Sequence, residues 1–227
     1  MASKKKILLL GAGGHCMSVI DSLISSCKYD SIGIIDKVKF DRYSVSDTID
    51  NNENFLLGVP IVGCDDDLPR LHEEGFTDAF ITVGSIGNPQ LRRKLYQKLK
   101  GIGFHIPNII DKSSTVSSHA IFGEGIYVGK NAVINAGTRI GHCAIINTSA
   151  VIEHECCIGD FAHIAPGSIL CGNVNVGLNT HIGAGSVIKQ GLQIGSDSLI
   201  GMGSVVVSQI GCNVTAYGNP CREVEHE

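Results

Sequence analysis

The chain has 227 residues, 43% of them hydrophobic, and a formal net charge of −4, enough length and apolar content for one large domain or two small ones with a substantial core. The mildly acidic balance argues against a nucleic-acid surface, which needs a basic face. Nine cysteines, an odd number with no CxxC pair, argue for reduced thiols and against a disulfide framework or a zinc ribbon.

The basic run Lys4 to Lys6 reads as solvated charge ahead of a strand. Ile7 to Leu10 is too short for a signal-peptide core or a membrane span. The expectation is a soluble, cytoplasmic protein with no membrane insertion.

In chain order, Lys6 to Leu10 predicts a buried strand, followed by the loop GAGGH (Gly11 to His15) and a helix over 15–26. Ser31 to Ile35 predicts a second strand ending at Asp36. Residues 38 to 57 are polar and read as a loop. Val59 to Val62 predicts a short strand, Asp65 to Glu74 a helix, Ala79 to Val83 a strand, Pro89 to Lys100 a helix and His105 to Ile109 a strand. Alternating strands and helices imply a parallel sheet, an α/β Rossmann-like domain over 1–110. Its glycine loop falls at a strand's carboxyl end and a helix N-terminus, where such folds hold phosphorylated ligands. Cys16 takes the third glycine position of a dinucleotide fingerprint, so a nucleotide or sugar nucleotide is the better fit, with a ligand-free structural turn as the alternative. Asp36 stands where a carboxylate can accept from a ribose hydroxyl.

From Val116 onward every sixth residue is large and apolar: Val116, Phe122, Val128, Ile134, Ile140, Ile146, Ile152, Ile158, Ile164, Leu170, Val176, Ile182, Ile188, Ile194, Ile200 and Val206. At this chain's apolar fraction, chance gives such a series roughly once in a million trials. Two residues earlier the side chain is usually small (Ala132, Thr138, Ala150, Ser168, Ser186), and glycine often follows the apolar residue (Gly129, Gly141, Gly159, Gly177), where it is expected to relieve the turn. A six-residue period signals a parallel β-helix, three hexads to a coil. Such a solenoid over 111–227 needs caps, one from the tail after Val206.

Residues eighteen apart then stack at about one strand spacing. His154, two places after Ile152, lies off the interior stripe, with Gly172 one coil above it. It can be a general base with Glu155 as its partner, or an exposed histidine beside an exposed glutamate. Gly172 would let a thioester come close, and its N–H could face an oxyanion. His163 and His181, also one coil apart, line a groove, stand in solvent or share a metal. His142 and Asp160 read as a structural pair. A γ-type carbonic anhydrase would need two histidines five apart, which are missing. A non-catalytic scaffold leaves VIEHE a coincidence.

The loop GAGGH, the run QLRRKLYQKL (Gln90 to Leu99), the block VIEHECCIGDFAHIAPG (Val151 to Gly167) and the ending YGNPCREV (Tyr217 to Val224) together resemble the hexapeptide-repeat sugar acetyltransferases, the family of the bacillosamine-pathway N-acetyltransferase and the sialic acid O-acetyltransferases. The resemblance implies a left-handed β-helix and acetyl-CoA as co-substrate; no metal is expected, because no ligand set among the residues is convincing. It implies His154 as base with Glu155 as partner, Asn147 and His163 placing the thioester, and Gly172, Ala184 and Met202 lining the CoA groove. It implies Gly13, Gly14, His15, Asp36 and Lys37, with Gly84 nearby, as the sugar-nucleotide site. It implies a homotrimer with active sites between prisms. Its leading activity is N-acetylation of a nucleotide-linked amino sugar in bacterial glycan biosynthesis, with O-acetylation of a sialic-like sugar as the alternative. Lys37 stands where some relatives carry a second acid, and the loops at 38–57 and 85–88 are longer than in compact members.

Overall fold

The computed structural model describes residues 5–36 and 55–224. The backbone divides into two units, Met1–Gly84 with Leu91–Pro107, and Ser85–Gln90 with Asn108–Glu227. Among the described residues no helix is long and apolar enough to cross a membrane.

The first unit is built on β1 (Lys6–Leu10), β2 (Ser31–Ile35), β3 (Phe55–Leu56), β4 (Val59–Gly63) and β5 (Asp78–Ile81), in the sheet order β3-β4-β2-β1-β5. β1 pairs in parallel with β2 and β5, and among the described residues of this sheet only the β3–β4 hairpin is antiparallel. Central position explains the unbroken apolar run of β1, whose Ile7 to Leu10 are at most 1% exposed. Helix α1 (Gly14–Ser26) buries Cys16, Val19, Ile20 and Leu23, the spacing of one helical face. The helix expected over 65–74 is a 3₁₀ turn, Asp65–Asp67, followed by α2 (Leu68–Glu73), with Pro69 in its first turn. Proline lacks an N–H and is tolerated only there. Helix α3 spans Gln90–Ile102.

The strand expected at 105–109 does not form. His105 makes one isolated bridge to Asp78, and Ile109–Ile110 instead pairs with Tyr127–Val128 in the second unit. Pro107, with no N–H to give a ladder, separates the two.

The second unit is a left-handed parallel β-helix of about six turns. Its two-residue strands repeat every six positions and form three faces. Face one holds Val133–Ile134, Val151–Ile152 and Ile169–Leu170 among its six strands. Face two holds Arg139–Ile140, Cys157–Ile158 and Asn175–Val176 among its five. Face three holds Ile145–Ile146, His163–Ile164 and His181–Ile182, and ends in the cap. Registers pair each residue with the one eighteen further on, as in Val151 with Ile169 and His163 with His181. From Val128 to Val206 every aliphatic of the six-residue series is at most 3% exposed, worth about 1.5–3 kcal/mol each on burial.

The small residues beside them add a second ladder. Thr138, Ser168, Thr180 and Ser186 each donate a side-chain hydroxyl to the carbonyl fifteen residues ahead, at 2.6–3.1 Å. The glycines after the aliphatics do not serve as left-handed turn residues: those at 129, 141, 159 and 177 are absent from the positive-φ positions. They are required by the next coil, since a Cβ on Gly159 would lie 2.5 Å from the Leu178 nitrogen. The tail closes the stack. Thr215–Gly218 pairs with Leu199–Ile200 and with the final strand Cys221–Val224.

Candidate active site

The turn between faces one and two runs Glu153-His154-Glu155-Cys156. The backbone N–H of Asn173 donates to the His154 carbonyl, and that of Glu155 donates to the Ala136 carbonyl, so the turn is fixed from above and below. Glu155 has φ +61°, a left-handed residue that brings neighbouring side chains to the same side. Its carboxylate Oε2 lies 3.2 Å from His154 Nδ1. A carboxylate only accepts, so Nδ1 carries a proton, and in the neutral imidazole Nε2 then presents its lone pair. Both side chains are exposed, 53% and 72%. A Cβ on Gly172 would sit 2.5 Å from Nε2 and Cε1 of His154, so the ring lies flush against the next coil's backbone. The neighbouring Cys156 is no rival nucleophile. Burial pushes its thiol up to about 11, and it donates to the Cys171 carbonyl.

Asn147 opens the turn between faces three and one, and His163 stands on the outer side of face three. They meet at 3.2 Å, Asn147 Nδ2 to His163 Nε2. Asn147 Oδ1 accepts the Thr148 N–H at 2.8 Å, which assigns the amide's orientation. His163 Nδ1 lies 3.1 Å from the Ser85 carbonyl. A carbonyl only accepts and an amide nitrogen only donates, so His163 is the neutral Nδ1–H tautomer with its Nε2 lone pair taken up. Neither nitrogen is left for a metal, and among the described residues no group of three or more His, Cys, Asp or Glu could hold one. Ala184 and Met202 belong to the same corner as Asn147. Thr148, Pro166, Ala184 and Met202 stack coil upon coil, tied by the N–H of Gly167, Gly185 and Gly203 to the carbonyls of the first three. Met202 is 81% exposed.

The expected site residues of the solenoid thus form two groups. His154, Glu155 and Gly172 occupy one corner; Asn147, His163, Ala184 and Met202 occupy the next. Face one separates them within a chain.

In the first unit Gly13 caps α1 and Gly14 begins it. A Cβ on either would meet nothing within 4 Å, so open space adjoins the loop. His15 packs near Gly84, where a Cβ would lie 3.7 Å from His15 Cβ. Asp36 Oδ2 accepts the Ala12 N–H at 2.6 Å and so holds the glycine loop itself. Beside it is a cavity of about 250 Å³, lined by Gly11, Ile35, Asp36, Asp65, Val83 and Leu91 among others. Lys37 and residues 38–54 lie outside the described residues. Asp65 was missed from sequence. The available signal was its position just past the carboxyl end of β4, where ligands of parallel sheets bind. His142 and Asp160 stack as expected, the contact running from the His142 backbone N–H to Asp160 Oδ1 at 2.7 Å.

The left-handed hexapeptide β-helix is a fold of acyltransferases, and the similarities of this chain place it in that class. The PglD N-terminal domain family matches residues 6–99, and the hexapeptide repeat of succinyl-transferase matches residues 173–208. Perosamine N-acetyltransferase from Caulobacter crescentus, solved with CoA and GDP-perosamine, is 36% identical over 97% of both chains, with a TM-score of 0.85. The acetyltransferase domain of PglB from Neisseria gonorrhoeae, solved with acetyl coenzyme A, is 32% identical over 98% of this chain and all of that one, also at 0.85. WeeI from Acinetobacter baumannii shares the fold at 24% identity, a TM-score of 0.79, and coverage of 97% of this chain and 100% of its own. The chain belongs to the hexapeptide-repeat sugar acetyltransferases.

Proposed function

We propose that the protein transfers the acetyl group of acetyl-CoA to the amino group of a nucleotide-linked amino sugar, at a site shared between adjacent copies of a homotrimer. The observation that carries the chemistry is the His154–Glu155 pair, its Nε2 lone pair pressed against Gly172. The neutral amine of the sugar attacks the thioester carbonyl, forming the N–C bond. His154 Nε2 takes the proton released from that nitrogen, while Glu155 holds the resulting imidazolium. The Gly172 amide faces the oxyanion. Collapse breaks the C–S bond, and the thiolate takes the proton back from His154. The relatives solved with CoA, acetyl-CoA and GDP-perosamine support these substrates.

The sugar nucleotide is assigned to Gly13, Gly14, His15, Asp36, Lys37 and Gly84, the donor to Asn147, His163, Gly172, Ala184 and Met202. Such substrates are cytoplasmic, and so is the proposed enzyme.

Trimerisation rests on face one. Beyond Thr115 in the first coil, its outward positions Val133, Val151, Ile169, Val187 and Val205 are aliphatic, whereas face two, beyond Ile121 in its first coil, presents Arg139, Cys157, Asn175 and Gln193. Three copies joined through face one about a threefold axis bring the His154 corner of each to the Asn147 corner of the next. The two half-sites on neighbouring corners need that closure.

The test is release of free thiol from acetyl-CoA against a panel of nucleotide amino sugars and free sialic acids. The reading expects turnover with the amino sugars. Turnover only with hydroxyl acceptors such as sialic acid would replace N- by O-acetylation.

A further inference from the structure

His181 stands one coil above His163 on the outer side of face three. It is 7% exposed, and its Nδ1 has no hydrogen-bond partner among the described residues. The two imidazoles meet edge to face, with ring centres 4.8 Å apart and planes at 79°.

His163 is the residue that most needs such a neighbour. Turning its ring over would exchange nitrogen for carbon at both ends and break the contacts to Ser85 and to Asn147 together. The contacts to Ser85 and Asn147 are neutral hydrogen bonds, each worth only about 0.5–1.5 kcal/mol net against that flip. A flat ring wedged against one side adds steric and edge-to-face resistance. The Asn147 amide depends in turn on His163, since its Nδ2 has been turned toward that ring.

We propose that His181 is a positioning residue for the acyl-donor end of the site: its ring locks the His163 imidazole in one orientation, and His163 so locked aims the Asn147 amide. The proposal rests on the reading that Asn147 and His163 serve the acetyl-CoA thioester. Burial supports it by lowering the His181 pKa, so that an uncharged ring faces His163. Neutrality matters, because the His163 tautomer already has its lone pair committed and a neighbouring cation would add nothing that holds it.

Three measurements test this on the full-length protein: imidazole nitrogen NMR of His163, KM for acetyl-CoA and KM for the sugar nucleotide. In the wild type, His163 should give the pattern of a single Nδ1–H tautomer. In His181→Ala that pattern should become a mixture. The KM for acetyl-CoA should rise about three- to tenfold, the equivalent of one neutral hydrogen bond, with the KM for the sugar nucleotide unchanged. His181→Phe, which keeps a ring edge but no ring nitrogen, should restore both the tautomer and the acetyl-CoA KM. A His163 pattern indifferent to His181→Ala overturns the proposal whatever the kinetics. So does His181→Phe behaving like His181→Ala, which would place the role in a nitrogen and not in the ring. If the tautomer responds while the acetyl-CoA KM stays put, the ring contact is real but the donor assignment of Asn147 and His163 falls, and the proposed role with it.

Discussion

Glu155 does its work from a backbone conformation that side chains with a Cβ rarely adopt. Adjacent residues on an extended strand point apart, so the His154–Glu155 contact was legible in the sequence only as an option. The left-handed turn makes it. By contrast, the placement of Gly172 over His154 followed from the eighteen-residue register alone. Replacing His154 with Ala should lower kcat by about 10²–10⁴-fold, the worth of a general base, in a protein that stays folded and binds CoA. The wild-type pH–rate profile should lose one ascending limb in that variant. Retention of more than about a tenth of kcat would remove His154 from the mechanism. His163 cannot then substitute, because Asn147 occupies its Nε2. Glu155→Ala should cost less, on the order of tenfold, since the base remains. Gly172→Ala adds a methyl 2.5 Å from the imidazole, so His154 must turn away; steady-state kinetics should give a kcat loss on the order of 10²-fold, as for a group misplaced by about 1 Å. Asp36→Ala frees the Ala12 N–H that it now holds. It should raise the KM for the sugar nucleotide and leave that for acetyl-CoA nearly unchanged, and equal effects on both would remove the first unit as the sugar site.

The solenoid is legible in the hexads because one structural unit equals one sequence period, and the phase never slips between Val116 and Val206. The hydroxyl ladder was not legible. A small residue two places before the aliphatic satisfies packing equally well as alanine or serine, and only the three-dimensional coil shows that the serines and threonines also cap a carbonyl fifteen residues on. The strand expected at 105–109 failed for the opposite reason: apolar Ile106 and Ile109 were present, but Pro107 between them breaks the ladder. These distinctions predict different penalties within one element. Ile164→Ala empties interior volume and should cost about 2–5 kcal/mol. Ser168→Ala removes only a hydrogen bond to the Gly183 carbonyl, which still accepts from the Ser186 N–H, and should cost about 0.5–1.5 kcal/mol. Chemical denaturation that ranks the serine variant as the worse of the two would contradict this division.

At the scale of the whole molecule, the proposed function, with its two half-sites separated by face one, makes oligomerisation a condition for activity. Light scattering at micromolar protein should give three times the monomer mass. A charge in the aliphatic stripe, as in Ile169→Asp, should release folded, inactive monomers, because Ile169 is already 39% exposed in the single chain. Subunit mixing tests the sharing directly. His154→Ala, nearly inactive alone, reassembled with Asn147→Ala after unfolding and assayed at low acetyl-CoA, should exceed the sum of the separate variants by about a quarter of wild-type activity, since random threefold closure pairs an intact His154 with an intact Asn147 at that frequency. No recovery would place the whole site within one chain. The column Thr148, Pro166, Ala184, Met202 carries a last consequence. It spans three coils, about 14 Å at the usual strand spacing, between the thioester end and the exposed Met202. An insertion that is not a multiple of six throws every later aliphatic out of phase, and one of six or twelve moves every later residue to another face, so this corner is kept only in quanta of eighteen residues. Yet a whole extra coil, though foldable, would carry Met202 about 4.8 Å further from Asn147 and off the co-substrate it is proposed to line. The span from Asn147 to Met202 is therefore a ruler whose graduations are coils, with its length set once by the fold and again by the molecule it measures.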